Sequence, residues 1–276
     1  MRVAVVLARF MMQVLFFEWR ELLQPFVSVL DQPSLVVVHI NAGCYMHGRY
    51  QSHAIGHAAR VNNLLYLCCG KASHTQMTPH ADAYLVLSFF PAMAKKRNTF
   101  LFAPMLRQEV LSATPKTGDY ALVYVTSRAK ELPALLKQVR CRFIAYGFGI
   151  EGQEGNILFK KPSMNSFLRD LTGAKAVIAN AGFSLVSEAL YLGKPYLAVP
   201  VKNQFEQTFN AYYVDKLGYG AWWEHLGKEQ IESFLFNLPV YSDNLSSYLR
   251  AGNAAILAKV DELIGTLTAQ GCDDRS

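Results

Sequence analysis

Charge is scarce in this chain. Only 17% of its 276 residues are Asp, Glu, Lys or Arg, while 51% are hydrophobic and 12% aromatic. A chain this apolar has enough surface to bury to offset the entropy of ordering, which excludes intrinsic disorder. Cysteine is also thin: there are five, with Cys68 and Cys69 adjacent and Cys44, Cys141 and Cys272 scattered. An odd count without paired spacing argues against a secreted disulfide scaffold and for a reducing compartment. Long apolar runs are missing. Arg9 interrupts the opening stretch Val3 to Ala8, and Glu18, Arg20 and Glu21 end the run Val14 to Phe17. Nothing reaches the about 20 residues that span a bilayer, so the expectation is a cytoplasmic protein whose membrane contact, if any, is peripheral.

Two further absences narrow the chemistry. Cys68, Cys69, His74 and His80 fit no usual zinc spacing, so no metal is expected. Gly147 to Gly152 reads as a literal G-x-G-x-x-G after a strand, yet Gln153 to Asn156 lead into another strand where a dinucleotide site needs a helix. No redox cofactor is expected either. The basic cluster Lys95, Lys96 and Arg97 reads as a solvated turn, and no nucleic-acid partner is expected.

What is present is a strand-and-helix alternation. Apolar runs at Tyr120 to Val125, Arg142 to Tyr146, Asn156 to Phe159, Ala176 to Ala179 and Tyr196 to Val199 read as strands. Helices are expected over Lys130 to Val139, from an N-cap at Ser163 through Leu171, over Ser184 to Leu192, and over Gln204 to Leu217. Gly193 and Gly218 stop the last two. This pattern implies a mostly parallel sheet covered on both faces, one complete Rossmann-like domain. Leu245 to Leu267 reads as one long amphipathic helix that packs back on the other domain. Upstream, Pro25 to Leu30, Leu35 to Ile40, Ala83 to Phe89 and Phe100 to Ala103 look like strands and His53 to Cys68 like a helix. The expected division is 1–115, a partial α/β domain, and 116–276.

The stretch Asn180-Ala181-Gly182-Phe183-Ser184 joins a buried strand to a helix, where unpaired first-turn N–H groups and the positive helix end suit an anion such as a diphosphate. Glu188 lies one turn along the same face, placed to accept hydrogen bonds from vicinal hydroxyls. A capped core helix with a solvated Glu188 is the competing reading. The next strand is followed by PVKNQFEQ, which brings Gln204, Glu206, Gln207 and then Asn210 to the same end of the sheet, a row that suits a polyhydroxylated group. An ordinary polar helix start is the alternative there. The net charge of +6 biases the surface toward anions.

The run AKAVIANAGFSLVSEALYLGKPYLAVPVKNQFEQTFNAYYVDKLGYG, Ala174 to Gly220, resembles the donor half of GT-B glycosyltransferases of the MurG and UDP-glycosyltransferase type. More narrowly the chain looks like the MurG-like family labelled glycosyltransferase family 28 C-terminal, or Glyco_trans_1_3. The likeness continues through ADAYLVLSFF (Ala81 to Phe90), TFLFAPMLRQEVL (Thr99 to Leu111) and GDYALVYVTS (Gly118 to Ser127). The resemblance implies a GT-B-like α/β fold and transfer of a sugar from a nucleotide diphosphate donor, usually UDP, to an acceptor hydroxyl, metal-independent and inverting. It implies that Gly182 to Ser184 with Asn180 hold the diphosphate, Glu188 the ribose, and Gln204, Glu206, Gln207 and Asn210 the sugar. It implies that Thr126, Ser127 and Arg128 face the diphosphate from the other side, and that backbone near Phe159 and Lys160 pairs with the base. Family acceptors are often lipid-linked or glycans.

Members of that family open with a glycine-rich loop that often supplies the catalytic base. MRVAVVLARFMMQVLFF shows none, which points to a shortened acceptor domain. Ala54 to Arg60 echoes the loop only superficially, and His57 within it is the one candidate base, against a surface histidine paired with His53. Two other readings stand beside a transferase: a donor-binding subunit that needs a partner chain or a second copy, and a UDP-sugar epimerase.

Overall fold

The computed structural model describes residues 37–39, 83–92, 97–125, 131–161, 163–202 and 204–273. It divides into two compact units, Met1–Arg107 with Ala251–Ser276, and Gln108–Arg250.

In the first unit, β1 (Val37–His39), β2 (Tyr84–Leu87) and β3 (Thr99–Phe102) form a parallel sheet in that order. All four residues of β2, YLVL, are buried, as befits a central strand in a sheet covered on both faces.

The second unit opens with a short helix α1 (Gln108–Leu111), β4 (Tyr120–Tyr124), α2 (Leu132–Leu136) and β5 (Arg142–Tyr146). A hairpin of β6 (Gly152–Glu154) and β7 (Ile157–Lys160) follows, then α3 (Met164–Gly173), β8 (Ala176–Ala179) and α4 (Phe183–Tyr191). It closes with β9 (Tyr196–Ala198), α5 (Phe205–Lys216), β10 (Gly220–Trp222), α6 (Lys228–Phe236) and α7 (Leu238–Ser246). The sheet runs β10-β9-β8-β4-β5-β7-β6, parallel throughout except for β6 against β7. Ala121, Val123, Phe143, Ala145, Ala176 and Ile178 pack one face against Leu132 and Leu136 of α2 and Ile231 and Phe234 of α6. The alternate residues Leu122, Val177 and Tyr196 are equally buried. Both faces are therefore covered, and a continuous apolar run is what such strands require.

The strand order fixes where a ligand can enter. From β4 the chain steps outward to β5 and β7, then returns to the other side of β4 for β8, β9 and β10. The reversal lies between β4 and β8, and open α/β sheets bind ligands outside the carboxyl ends of such a pair.

Several expectations change. The expected tail helix is two helices: α7 ends at Ser246, and α8 (Ala254–Asp273) begins beyond an irregular stretch containing Gly252. Asn253 heads α8, and its side chain is spent on Leu106, accepting from the backbone N–H at 3.0 Å and donating to the carbonyl at 2.7 Å. α2 spans only Leu132–Leu136, and α6, β10 and α1 were not anticipated. As expected, the loop Gly147 to Gly152 leads into strand, β6, with no helix at it. Among the described residues no helix is long and apolar enough to cross a membrane.

Gly147 closes β5 with φ +91°, and a Cβ there would stand 1.9 Å from the Val125 carbonyl oxygen. Gly147→Ala is expected to cost about 2–4 kcal/mol of stability, because both the torsion and the contact are forbidden to it. Urea unfolding measures the loss; an unchanged midpoint would contradict this close approach.

Candidate functional site

The β8–α4 loop sits at the reversal point. Asn180 N–H donates to Tyr124 O at 3.3 Å, so the loop starts as an extension of the β4–β8 ladder. Gly182 is the N-cap of α4 at φ −67° and ψ 137°, and the first helical bond runs from Val186 N to Gly182 O at 3.1 Å. Those torsions suit any residue, so the glycine contributes lack of bulk rather than an unusual conformation. The amides of Ser184 and Leu185 precede the helical ladder and lack an acceptor within the helix. Ser184 and Glu188 lie on the same partly exposed face, one turn apart, while Phe183, Val186, Ser187, Ala189 and Leu190 are buried.

Side chains fix the loop from below. Tyr196 Oη donates to Asn180 O at 2.5 Å, Asn180 Nδ2 to Val199 O at 2.8 Å, and Asn210 Nδ2 to Ala181 O at 2.9 Å. The loop after β9 is held likewise: Val201 N–H donates to Gln207 Oε1 at 2.9 Å. These ties divide the polar residues expected to meet a ligand. Asn180, Gln207 and Asn210 are 9%, 5% and 0% exposed and have backbone carbonyls or amides as partners. Gln204 is exposed, and Glu206, Gly182, Ser184 and Glu188 are half-buried. Gln207 and Asn210 share a helical stripe with the buried Ala211 and Val214, a periodicity that marks them as inward-facing. Tyr196 was not anticipated at all. The clue was there, since a tyrosine in a fully buried strand needs a partner for its hydroxyl.

At the β7 side, Phe159 is core, its ring edge-on to Phe148 with centroids 5.5 Å apart. Its backbone is in register with both Ala145 and Gly152. Lys160 lies one residue further, in register with Tyr146 alone. The Lys160 ammonium donates to Asp170 Oδ2 at 2.5 Å, and Tyr146 Oη donates to the same oxygen at 2.6 Å. Burial, then that hydrogen bond, pushes the Tyr146 phenol far above its ordinary range. The Lys160 side chain is thus committed to α3, which leaves only backbone at this point for a ligand. Thr126, Ser127, Arg128 and His57 lie outside the described residues. Among the described residues no group of three His, Cys, Asp or Glu is placed to hold a metal ion.

The model of the family described as Glycosyl transferase family 1 matches residues 44–239, well over half of the chain. The chain belongs to this family. No curated protein matches it. Its fold is that of the GT-B glycosyltransferases. The glycotransferase of kitacinnamycin is similar over 88% of this chain and 72% of its own, with 15% identity and a TM-score of 0.56. LpCGTa, solved in complex with UDP, is similar over 82% of this chain and 66% of its own, with 18% identity and a TM-score of 0.54. UGT2 of Phytolacca americana, complexed with UDP-2fluoro-glucose and pterostilbene, is similar over 71% of this chain and 56% of its own, with 13% identity and a TM-score of 0.55. Identities this low show shared architecture alone.

In this family 1 chain one acid at the carboxyl edge has an altered titration. Glu206 stands in the first turn of α5, where the helix end favours a charge, yet burial prevails and raises its carboxyl above the ordinary value. A folded-state pKa above the unfolded one means that ionisation opposes folding. The cost is full above the folded pKa and vanishes as pH falls below the unfolded one. Glu206→Gln is expected to unfold at higher urea than the parent at pH 7, with the gap closing toward pH 4. A destabilised variant at pH 7 would show instead that the carboxylate has a compensating partner.

Proposed function

We propose that this glycosyltransferase takes a UDP-sugar and transfers the sugar to an acceptor hydroxyl with inversion, without a metal ion or separate cofactor. The observation that carries the reading is the sorting of polar groups at the carboxyl edge between β4 and β9. Ser184, Glu188, Gln204 and Glu206 are at least partly open there, while buried side chains beneath hold the loops that present them. Its donor diphosphate lies against the Gly182 to Ser184 amides, where the α4 dipole and aligned N–H groups offset the charge. Glu188 accepts from the ribose hydroxyls one turn along. Gln204 and Glu206 accept or donate to sugar hydroxyls, and the uracil edge pairs with backbone at or just after Lys160.

In the reaction the acceptor oxygen forms a bond to the anomeric carbon as the bond from that carbon to the diphosphate breaks. The electron pair leaves with UDP, whose developing charge faces donors already in place, so little reorganisation is needed. The acceptor proton passes to a general base. A glycosyl acceptor of lipid-linked or glycan type fits the resemblance of the family. Two of the similar structures were solved with UDP or a UDP-sugar, which supports the choice of donor.

UDP at about 100 times its Kd is expected to add about 2.7 kcal/mol to the unfolding free energy. Glu188→Ala removes two charge-assisted hydrogen bonds and is expected to weaken UDP about tenfold to a hundredfold, removing from about half to most of the rise in Tm at the same ligand concentration. Differential scanning fluorimetry with UDP and UDP-glucose reads both. No shift with either nucleotide would overturn the donor assignment.

A further inference from the structure

We propose that Asn210 is a positioning residue whose task is to aim the main-chain amide of Gly182 at the donor diphosphate; the inference rests on the donor reading above. Asn210 lies on the second turn of α5 and is fully buried, so it does not reach a ligand. Its Nδ2 donates to Ala181 O at 2.9 Å across 29 residues of sequence. Its Oδ1 is buried and has no hydrogen-bond partner among the described residues.

That orphan oxygen separates positioning from packing. For stability, an apolar side chain of the same shape removes that unsatisfied acceptor but leaves Ala181 O without its donor, so the count of buried unpaired acceptors is unchanged and one hydrogen bond is lost. What an apolar residue cannot do is orient the Ala181 carbonyl. The peptide joining Ala181 to Gly182 is trans, so its carbonyl and the Gly182 N–H lie in one plane and point in opposite directions. Drawing the oxygen toward α5 therefore turns the Gly182 amide away from α5. Tyr196 does the same one peptide earlier: its hydroxyl holds Asn180 O and so sets the Ala181 amide.

Glycine is where such a tie matters most. Gly182 has the greatest backbone freedom to lose, and its torsions here are ones it shares with many alternatives. An amide aimed before the ligand arrives costs no reorientation at binding. The effect is local to the diphosphate. The nucleoside base is assigned to the end of β7, on the far side of β4 and β5 from this loop.

Asn210→Leu keeps the volume and removes both the donor and the orphan acceptor; Asn210→Ser serves as the second variant, too short to reach Ala181 but free of any packing clash. Calorimetry and ligand-observed NMR give Kd for UDP and for uridine with wild-type protein and each variant. Loss of about tenfold in UDP affinity with uridine affinity within twofold of wild type supports the proposal. A variant that binds UDP as wild type does, or one that loses UDP and uridine equally, overturns it and leaves the donor site standing. Wild-type protein that binds neither ligand overturns the donor reading and this proposal together.

Discussion

Two backbone carbonyls, Asn180 O and Ala181 O, are each held by a buried side chain from a later element, and the β8–α4 loop at the carboxyl edge of the second unit depends on those ties. Tyr196 comes from β9 and Asn210 from α5, so two consecutive β–α units, β8–α4 and β9–α5, must be in register before the loop has a shape. Each tie satisfies a carbonyl that would otherwise be buried or disordered, and each sets the direction of the following N–H. The sheet supplies the location, because the chain reverses direction between β4 and β8. The ties supply the orientation. Together they convert a flexible glycine turn at a helix start into a fixed row of donors.

The same economy runs through the rest of the edge. A chain with few charges spends its buried polar groups on holding backbone or one another. Asp170 gathers the Lys160 ammonium and the Tyr146 hydroxyl, and its own carbonyl accepts from Tyr120 Oη at 2.8 Å, which fastens α3 to β4, β5 and β7. Gln207 holds the loop after β9 through Val201 N–H. Groups left partly open, Ser184, Glu188, Gln204 and Glu206, stand at loop or helix starts around one edge. The proposed donor, a hydroxyl-rich anion, would use amides and a helix end for its charge, and carboxylates and an amide side chain for its hydroxyls.

Much of this fold was readable before any coordinates. Parallel strands covered on both faces must be continuously apolar, so β4, β5, β7, β8 and β9 announce themselves. Gly193 and Gly218 end α4 and α5 at φ +68° and +67°, torsions that glycine alone adopts cheaply. The tail was misread because helical periodicity continues across Ser247 to Asn253, while the break there is enforced by Asn253 pairing with Leu106, a contact 147 residues distant that no local pattern encodes. For the candidate site, the sequence suggests a place and a set of residue types, and the structure sorts those residues into buried and open ones. Gln204, Glu206, Gln207 and Asn210 look equivalent in sequence, and only the turn of α5 decides that Gln207 and Asn210 face inward with Ala211 and Val214. Tyr196 escaped notice because its contribution is one hydroxyl on an otherwise apolar strand.

The account reduces to the claim that the amides at the start of α4 receive a diphosphate. A crystal structure of the protein with UDP tests that most directly. The account expects diphosphate oxygens within about 2.7–3.2 Å of the backbone nitrogens between Gly182 and Ser184, with the ribose hydroxyls on the Glu188 carboxylate. UDP bound at another edge of the sheet, with those amides facing only solvent, would contradict it.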